Sequence, residues 1–317
     1  MAFAATTPRA ALAHGSTALE GFVAVNGVRL QYLDWGGAGP ALILIHGLAD
    51  NPHVFDDLAL ELTDRFHVMA YARRGSGSSD TQGPYDVATL TDDLRGFMNA
   101  LGVARADLVS VSAGGEEMTR VAAESPERVG RIVYLEAGYD FASPHFRSAV
   151  EARPFKAFAQ PPSARASFEA YSSYIREMWY PGLQDMRRME ANLRSKLVIQ
   201  PDGSVQDRAP KALVDALYAA LWTNEPRDYA RVRCPVLAIY AEHYYDVGAM
   251  AGERRDQALS YERAQWDPFR ARSIEHLRRD LPGAQIAHVR GGHSSFILMS
   301  RQEVVRTLRR FLEDPSR

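Results

Sequence analysis

The sequence predicts an α/β protein: a mainly parallel sheet of eight strands flanked by helices, with a helical cap inserted after the sixth strand. Three observations predict it. Short continuous apolar runs, such as Ala41-Leu42-Ile43-Leu44-Ile45, recur along the chain, as strands buried on both faces require. Helical stripes lie between several of them, and strand–helix alternation implies a parallel sheet covered on both sides. One stretch, 141–228, breaks the rhythm. This divides the chain into an N-terminal extension over 1–20, a core built from 21–140 and 229–317, and the cap over 141–228.

The elements follow in order. Phe22-Val23-Ala24-Val25, Asn26-Gly27 and the run from Val28 to Trp35 read as a hairpin, because Asn-Gly favours the positive φ angles of a tight type I′ turn. It supplies the antiparallel edge. After the third strand at 41–45, further strands are expected at 67–72, 107–111, 131–135, 235–241 and 285–289. Leu90, Leu94, Phe97, Met98 and Leu101 fall on one helical face, and Val304, Val305, Leu308, Phe311 and Leu312 repeat the stripe near the end. Both read as packing surfaces against the sheet. The cap stretch shows no strand of the central sheet. It holds helix-like segments rich in Phe155, Phe158, Phe168, Tyr171, Tyr174, Met178, Trp179 and Tyr180, punctuated by prolines. Most of these rings read as subdomain core; Tyr174, Trp179 and Tyr180 are expected to line a pocket beneath the cap.

Composition narrows the partners. The hydrophobic fraction of 46% and charged fraction of 24% are ordinary for a globular chain. A formal net charge of -2 without a Lys/Arg block argues against nucleic acid; Arg187-Arg188 and Arg278-Arg279 read as solvated helix faces. No apolar run approaches the roughly 18 residues that span a bilayer. The single cysteine, Cys234, excludes an intramolecular disulfide and reads as a small buried thiol. No CxxC or HExxH spacing appears, so neither a metal nor another cofactor is expected. Residues 1–21 lack the apolar centre of a secretory signal. A cytoplasmic location is expected as written, and a secreted or periplasmic one if a signal was removed earlier. A homodimer stays open.

Three motifs carry chemistry. Ser110-Val111-Ser112-Ala113-Gly114 lies between a strand and a helix-like run, and small residues two before and two after Ser112 suit a sharp strand-to-helix turn. This resembles the nucleophile elbow of the α/β-hydrolases, with Ser110 in place of the first glycine of G-x-S-x-G. Ile45-His46-Gly47-Leu48 closes the third strand. In that family the His-Gly pair aims the next backbone N–H at the substrate oxygen, so the resemblance implies oxyanion contacts from the N–H groups of Leu48 and Ala113. His46 itself reads as a loop brace. The run from Tyr71 to Asp80 is similar to the family's D-x-R-G-x-G-x-S loop, with Ala72 at the usual acidic position; it supports the fold, not the chemistry.

His293, within Arg290-Gly291-Gly292-His293, follows the last expected strand where family members carry their general base. The acid has two candidates. Most of the family places it after the seventh strand, where Tyr244 stands at the expected position and Asp246 comes two residues late. The run from Arg128 to Glu136 is similar to that of one group of haloalkane dehalogenases whose catalytic glutamate follows strand six, and Glu136 is preferred to Asp246.

The resemblance implies a serine hydrolase acting through an acyl-enzyme on a small-molecule ester or lactone, and the aromatic composition of the cap suits a bulky, apolar substrate. Ser112 in place of the aspartate nucleophile argues against dehalogenase and epoxide hydrolase activity. Amide or carbon–carbon bond cleavage, perhydrolase activity and a ligand sensor that keeps the triad are the alternatives.

Overall fold

The computed structural model describes residues 10–11, 18–155, 160–223 and 225–314. Phe158 and most of the extension expected over 1–20 lie outside the described residues. The main sheet contains β1 (Leu19–Val25), β2 (Val28–Gly36), β3 (Ala41–Ile45), β4 (His67–Tyr71), β5 (Ala106–Val111), β6 (Val129–Leu135), β7 (Val236–His243) and β8 (Gln285–Gly292). They lie side by side in the order β1-β2-β4-β3-β5-β6-β7-β8. The pairs from β4 to β8 are parallel, while β1–β2 and β2–β4 are antiparallel. A two-residue strand, Ala10–Ala11, extends the β1 edge. The eight strands are those expected from the apolar runs, with the first beginning three residues earlier, the last ending three residues later and others differing by one or two.

Alternation along each strand divides the core into two layers. Ile43, Ile45, Leu108, Ile132, Tyr134, Ala238 and Tyr240 face one side, and the helix Val87–Ala100 covers them with Leu94, Phe97 and Met98. Leu42, Leu44, Val109, Val133, Leu135, Leu237 and Ile239 face the other, covered by Val304, Val305, Leu308 and Phe311 of the helix Arg301–Leu312. Asp86 starts the first of these helices by accepting from the Thr89 N–H at 2.9 Å. Both faces of the sheet are dry, so the strands read as continuous apolar runs.

Between β6 and β7 the chain forms the helices Pro144–Glu151, Phe168–Trp179, Glu190–Ser195 and Lys211–Thr223. It also forms a small separate hairpin, Leu197–Ile199 against Val205–Asp207, where the sequence suggests helix alone. Three-residue strands are too short to register a period. Many of its buried side chains join the core of the sheet: Tyr171, Ile175, Tyr180, Leu183 and Leu193 the second layer, and Phe141, Phe146 and Leu221 the first. A polar tie fastens it to the loop after β3. Lys196 Nζ lies 2.8 Å from Asp50, and Asn192 Nδ2 donates to the same carboxylate at 2.8 Å.

Candidate active site

At the end of β5 the chain turns abruptly. Ser112 adopts φ 49°, a left-handed conformation uncommon outside glycine. A helical run, Ser112–Gly114 and then Gly115–Glu124, begins at once. Close approach explains the small residues around it. A Cβ on Gly114 would lie 2.8 Å from the carbonyl oxygens of Ile45 and His46, and one on Gly47 would meet the Ser112 Cβ at 3.2 Å. Ser110, in the position of the first elbow glycine, is fully buried and its hydroxyl has no partner among the described residues; the geometry tolerates the larger residue.

The loop after β3 passes directly beside this turn. The buried His46 donates from Nδ1 to the Gly47 carbonyl at 2.8 Å and accepts the Arg73 N–H at Nε2, 3.0 Å away. Burial, reinforced by the Arg73 charge, pushes its pKa down to about 3, so both nitrogens serve the loop as a neutral ring. Leu48 follows in this loop and Ala113 stands in the first turn after Ser112. First-turn N–H groups of a helix have no partner within the helix. The glycine-rich loop after β4 is pinned through a two-bond Arg74–Asp93 pair at 2.6 and 2.8 Å and an Arg73–Glu117 pair at 2.8 Å.

His293 and Glu136 reach the turn from two other strand ends. The Ser112 hydroxyl lies 3.3 Å from His293 Nε2, and His293 Nδ1 lies 2.5 Å from Glu136 Oε2. The imidazole thus bridges a hydroxyl and a carboxylate, which fixes the proton on Nδ1. A serine–histidine distance slightly beyond ordinary bonding length is common in unliganded sites. Glu136 is wholly buried and, like Ser112, follows a parallel strand with positive φ, 50°. Its carboxylate accepts the Ala241 N–H at 2.7 Å and faces the Tyr139 hydroxyl at 2.8 Å from both oxygens. These donors replace the water that a buried carboxylate would otherwise lack.

Asp246 faces elsewhere. Its Oδ1 accepts the Ser295 hydroxyl at 2.6 Å and the Gly292 N–H at 2.8 Å, bracing the loop that carries His293. Burial raises its pKa in spite of these bonds. Of the two carboxylates singled out by the sequence, the structure brings Glu136 to the imidazole.

Some partners of the histidine carry no sequence motif. Tyr244, at the position where an aspartate is expected, stacks its ring on His293 with centroids 5.4 Å apart and accepts the His293 N–H at its carbonyl, 3.0 Å. Trp266 meets the imidazole edge-on at 5.6 Å, and Tyr139 lies on another side at 6.2 Å. The spacing of Tyr139 from Glu136 is a weak signal; Trp266 gives none. Of the expected pocket residues, Trp179 stacks with Tyr245 at 6.5 Å, two rings removed from His293. Tyr180 is buried within the second layer, and Tyr174 packs against that layer half-buried. Tyr180 also lies close enough to the Asp50 and Asp246 carboxylates to feel their charge. Among the described residues no group of three or more His, Cys, Asp or Glu forms a metal-binding cluster, and no helix reaches the length and apolarity needed to cross a membrane.

A family model described as alpha/beta hydrolase fold matches residues 40–243. Among curated proteins, the 2-(acetamidomethylene)succinate hydrolase of Mesorhizobium japonicum is 34% identical over 101 residues, 32% of this chain and 36% of that protein. The chain spans about a third of the length of this relative, and between 30% and 73% of the length of other curated relatives it matches. The solved structure of E-2-(acetamidomethylene)succinate hydrolase is similar with a TM-score of 0.73 at 21% identity, covering 94% of this chain and 100% of that one. An enol-lactonase from Burkholderia xenovorans gives 0.61 at 19% identity, with 92% and 100% covered. At such identities the structural likeness speaks for the fold.

Proposed function

Since the chain belongs to the α/β-hydrolase fold family, we propose that it is a serine hydrolase that cleaves a carboxylic ester or lactone through an acyl-enzyme. The observation that carries this reading is the single imidazole set between the Ser112 hydroxyl and the buried Glu136 carboxylate.

The chemistry follows from that line of atoms. Ser112 Oγ attacks the carbonyl carbon while its proton passes to His293 Nε2. Glu136 orients the ring and stabilises the cation formed on it. The negative oxygen of the tetrahedral intermediate is held by the N–H groups of Leu48 and Ala113, each worth about 2.7–4 kcal/mol in comparable sites. The intermediate collapses, His293 gives its proton to the leaving alkoxide, and the acyl group stays on Ser112. Water, deprotonated by the same imidazole, then attacks the acyl carbon and releases the acid, restoring the serine.

The segment 141–228 acts as a cap over this site, with Trp179, Tyr180 and Tyr174 contributing aromatic surface to an apolar pocket. A second reading is amide hydrolysis, favoured by the name of the Mesorhizobium relative. One assay separates them. The protein is offered p-nitrophenyl esters of increasing acyl length and the p-nitroanilides of the same acids. Ester turnover that falls at least a thousandfold in Ser112→Ala is expected. Faster anilide turnover selects the amide reading, and turnover that survives the substitution overturns both. Stoichiometric labelling by a fluorophosphonate without turnover indicates a ligand sensor instead.

A further inference from the structure

The buried arginines of this chain are mostly matched with acids: Arg73 with Glu117, Arg74 with Asp93, Arg227 with Glu116. Arg153 and Arg254, both half-buried, are not. Arg153 donates from Nη1 to the Tyr244 hydroxyl at 3.1 Å and from Nε to the Val150 carbonyl at 3.0 Å, with the Tyr218 hydroxyl also beside it. Arg254 donates from Nη2 to the Glu177 carbonyl at 2.9 Å and lies 3.4 Å from the Met178 sulfur, while its buried Nε has no partner among the described residues. Among the described residues neither guanidinium has a carboxylate within ion-pair distance.

The two converge on one aromatic shelf. The Arg254 guanidinium sits 5.0 Å over the Phe155 ring, Phe155 meets Tyr245 at 5.1 Å, and Tyr245 meets Tyr244 at 4.8 Å. Tyr244 is the ring stacked on His293, and its hydroxyl end holds Arg153. A guanidinium therefore stands one tyrosine ring beyond the catalytic imidazole, with N–H donors to spare. Partly desolvated cations without counter-ions are costly to maintain. The fork of a guanidinium matches a carboxylate in two parallel bonds.

We propose that Arg153, supported by Arg254, binds a carboxylate on the acyl part of the substrate, so that the preferred substrate is the half-ester of a dicarboxylic acid. This rests on the serine hydrolase reading and adds its substrate class. The aromatic shelf between Arg153 and His293 covers the apolar stretch between the carboxylate and the scissile carbonyl.

Two measurements test it. First, p-nitrophenyl half-esters of the diacids from succinate to suberate are compared with neutral p-nitrophenyl esters of matched length. At least one half-ester is expected to exceed its neutral match tenfold or more in kcat/KM. Arg153→Gln is expected to lower that ratio at least tenfold, mainly through KM, with Arg153→Lys keeping part of it and Arg254→Gln lowering it less. Because the readout is a ratio within one protein, a general loss of folded enzyme leaves it unmoved. No preference in the native chain, or a ratio indifferent to Arg153→Gln, overturns the proposal. Second, calorimetric titration of Ser112→Ala with the monomethyl half-esters reads binding without turnover. Binding that Arg153→Gln weakens tenfold or more upholds the carboxylate subsite even if the hydrolase reading fails. Ester turnover without such binding or preference sinks the subsite alone.

Discussion

Glu136 and Asp246 occupy matching places at the ends of neighbouring strands, β6 and β7, and both are buried. Their partners divide them. Glu136 receives a backbone N–H, a tyrosine hydroxyl and the His293 imidazole; Asp246 receives a serine hydroxyl and a backbone N–H from the loop on which that imidazole rides. One acid touches the histidine and the other holds its loop in place. Position at a sheet edge therefore nominates a carboxylate, and the donors aimed at it decide its task.

The sharpest way to break this contrast is Glu136→Gln. It keeps the shape but removes the charge that stabilises the imidazolium, and kcat should fall about 10³- to 10⁴-fold, read by steady-state kinetics with the best ester. Asp246→Asn should spare kcat to within about tenfold. Its cost should appear in urea denaturation as about 1–3 kcal/mol, the penalty for disturbing donors buried against it. Should the two variants exchange these phenotypes, Asp246 is the catalytic acid. Tyr139→Phe removes one donor from Glu136 and should cost about 0.5–1.5 kcal/mol of stability, with a smaller fall in kcat than Glu136→Gln.

The smallest effect concerns pH. Burial holds Asp246 above its ordinary pKa in the folded chain, so between the unfolded and folded values the native state binds the extra proton. The stabilisation linked to that proton is full below the unfolded pKa and fades as pH rises through the folded one. The stability gap between the native chain and Asp246→Asn should therefore be wider in acid than at neutrality. Denaturation midpoints taken across that range check it, and a gap that widens with rising pH contradicts it.

Much of this was legible in the sequence, for reasons that differ by element. The eight strands announced themselves because both faces of the sheet are buried, leaving unbroken apolar runs such as 41–45. Ser112 and His293 were marked by the small residues their turns demand. The acid could not be settled from spacing. Its identity depends on how far β6 and β7 run before each bends, a matter of inter-strand register. Tyr244 and Trp266 were invisible for a related reason: rings that enclose an imidazole look no different in sequence from rings that fill a core. The hairpin at Leu197–Ile199 and Val205–Asp207 escaped because three residues carry no readable period.

Ser112 and Glu136 share the positive backbone angle that follows their strands. Each such bend costs a residue with a side chain on the order of 1 kcal/mol relative to glycine. At Ser112 durability and the proposed turnover thus pull in opposite directions, whereas at Glu136 the buried donors that its carboxylate satisfies outweigh the bend. A chain with glycine at position 112 should outlast the native one on heating while hydrolysing nothing, so a search for heat-resistant variants made without an activity screen would drift toward inert ones.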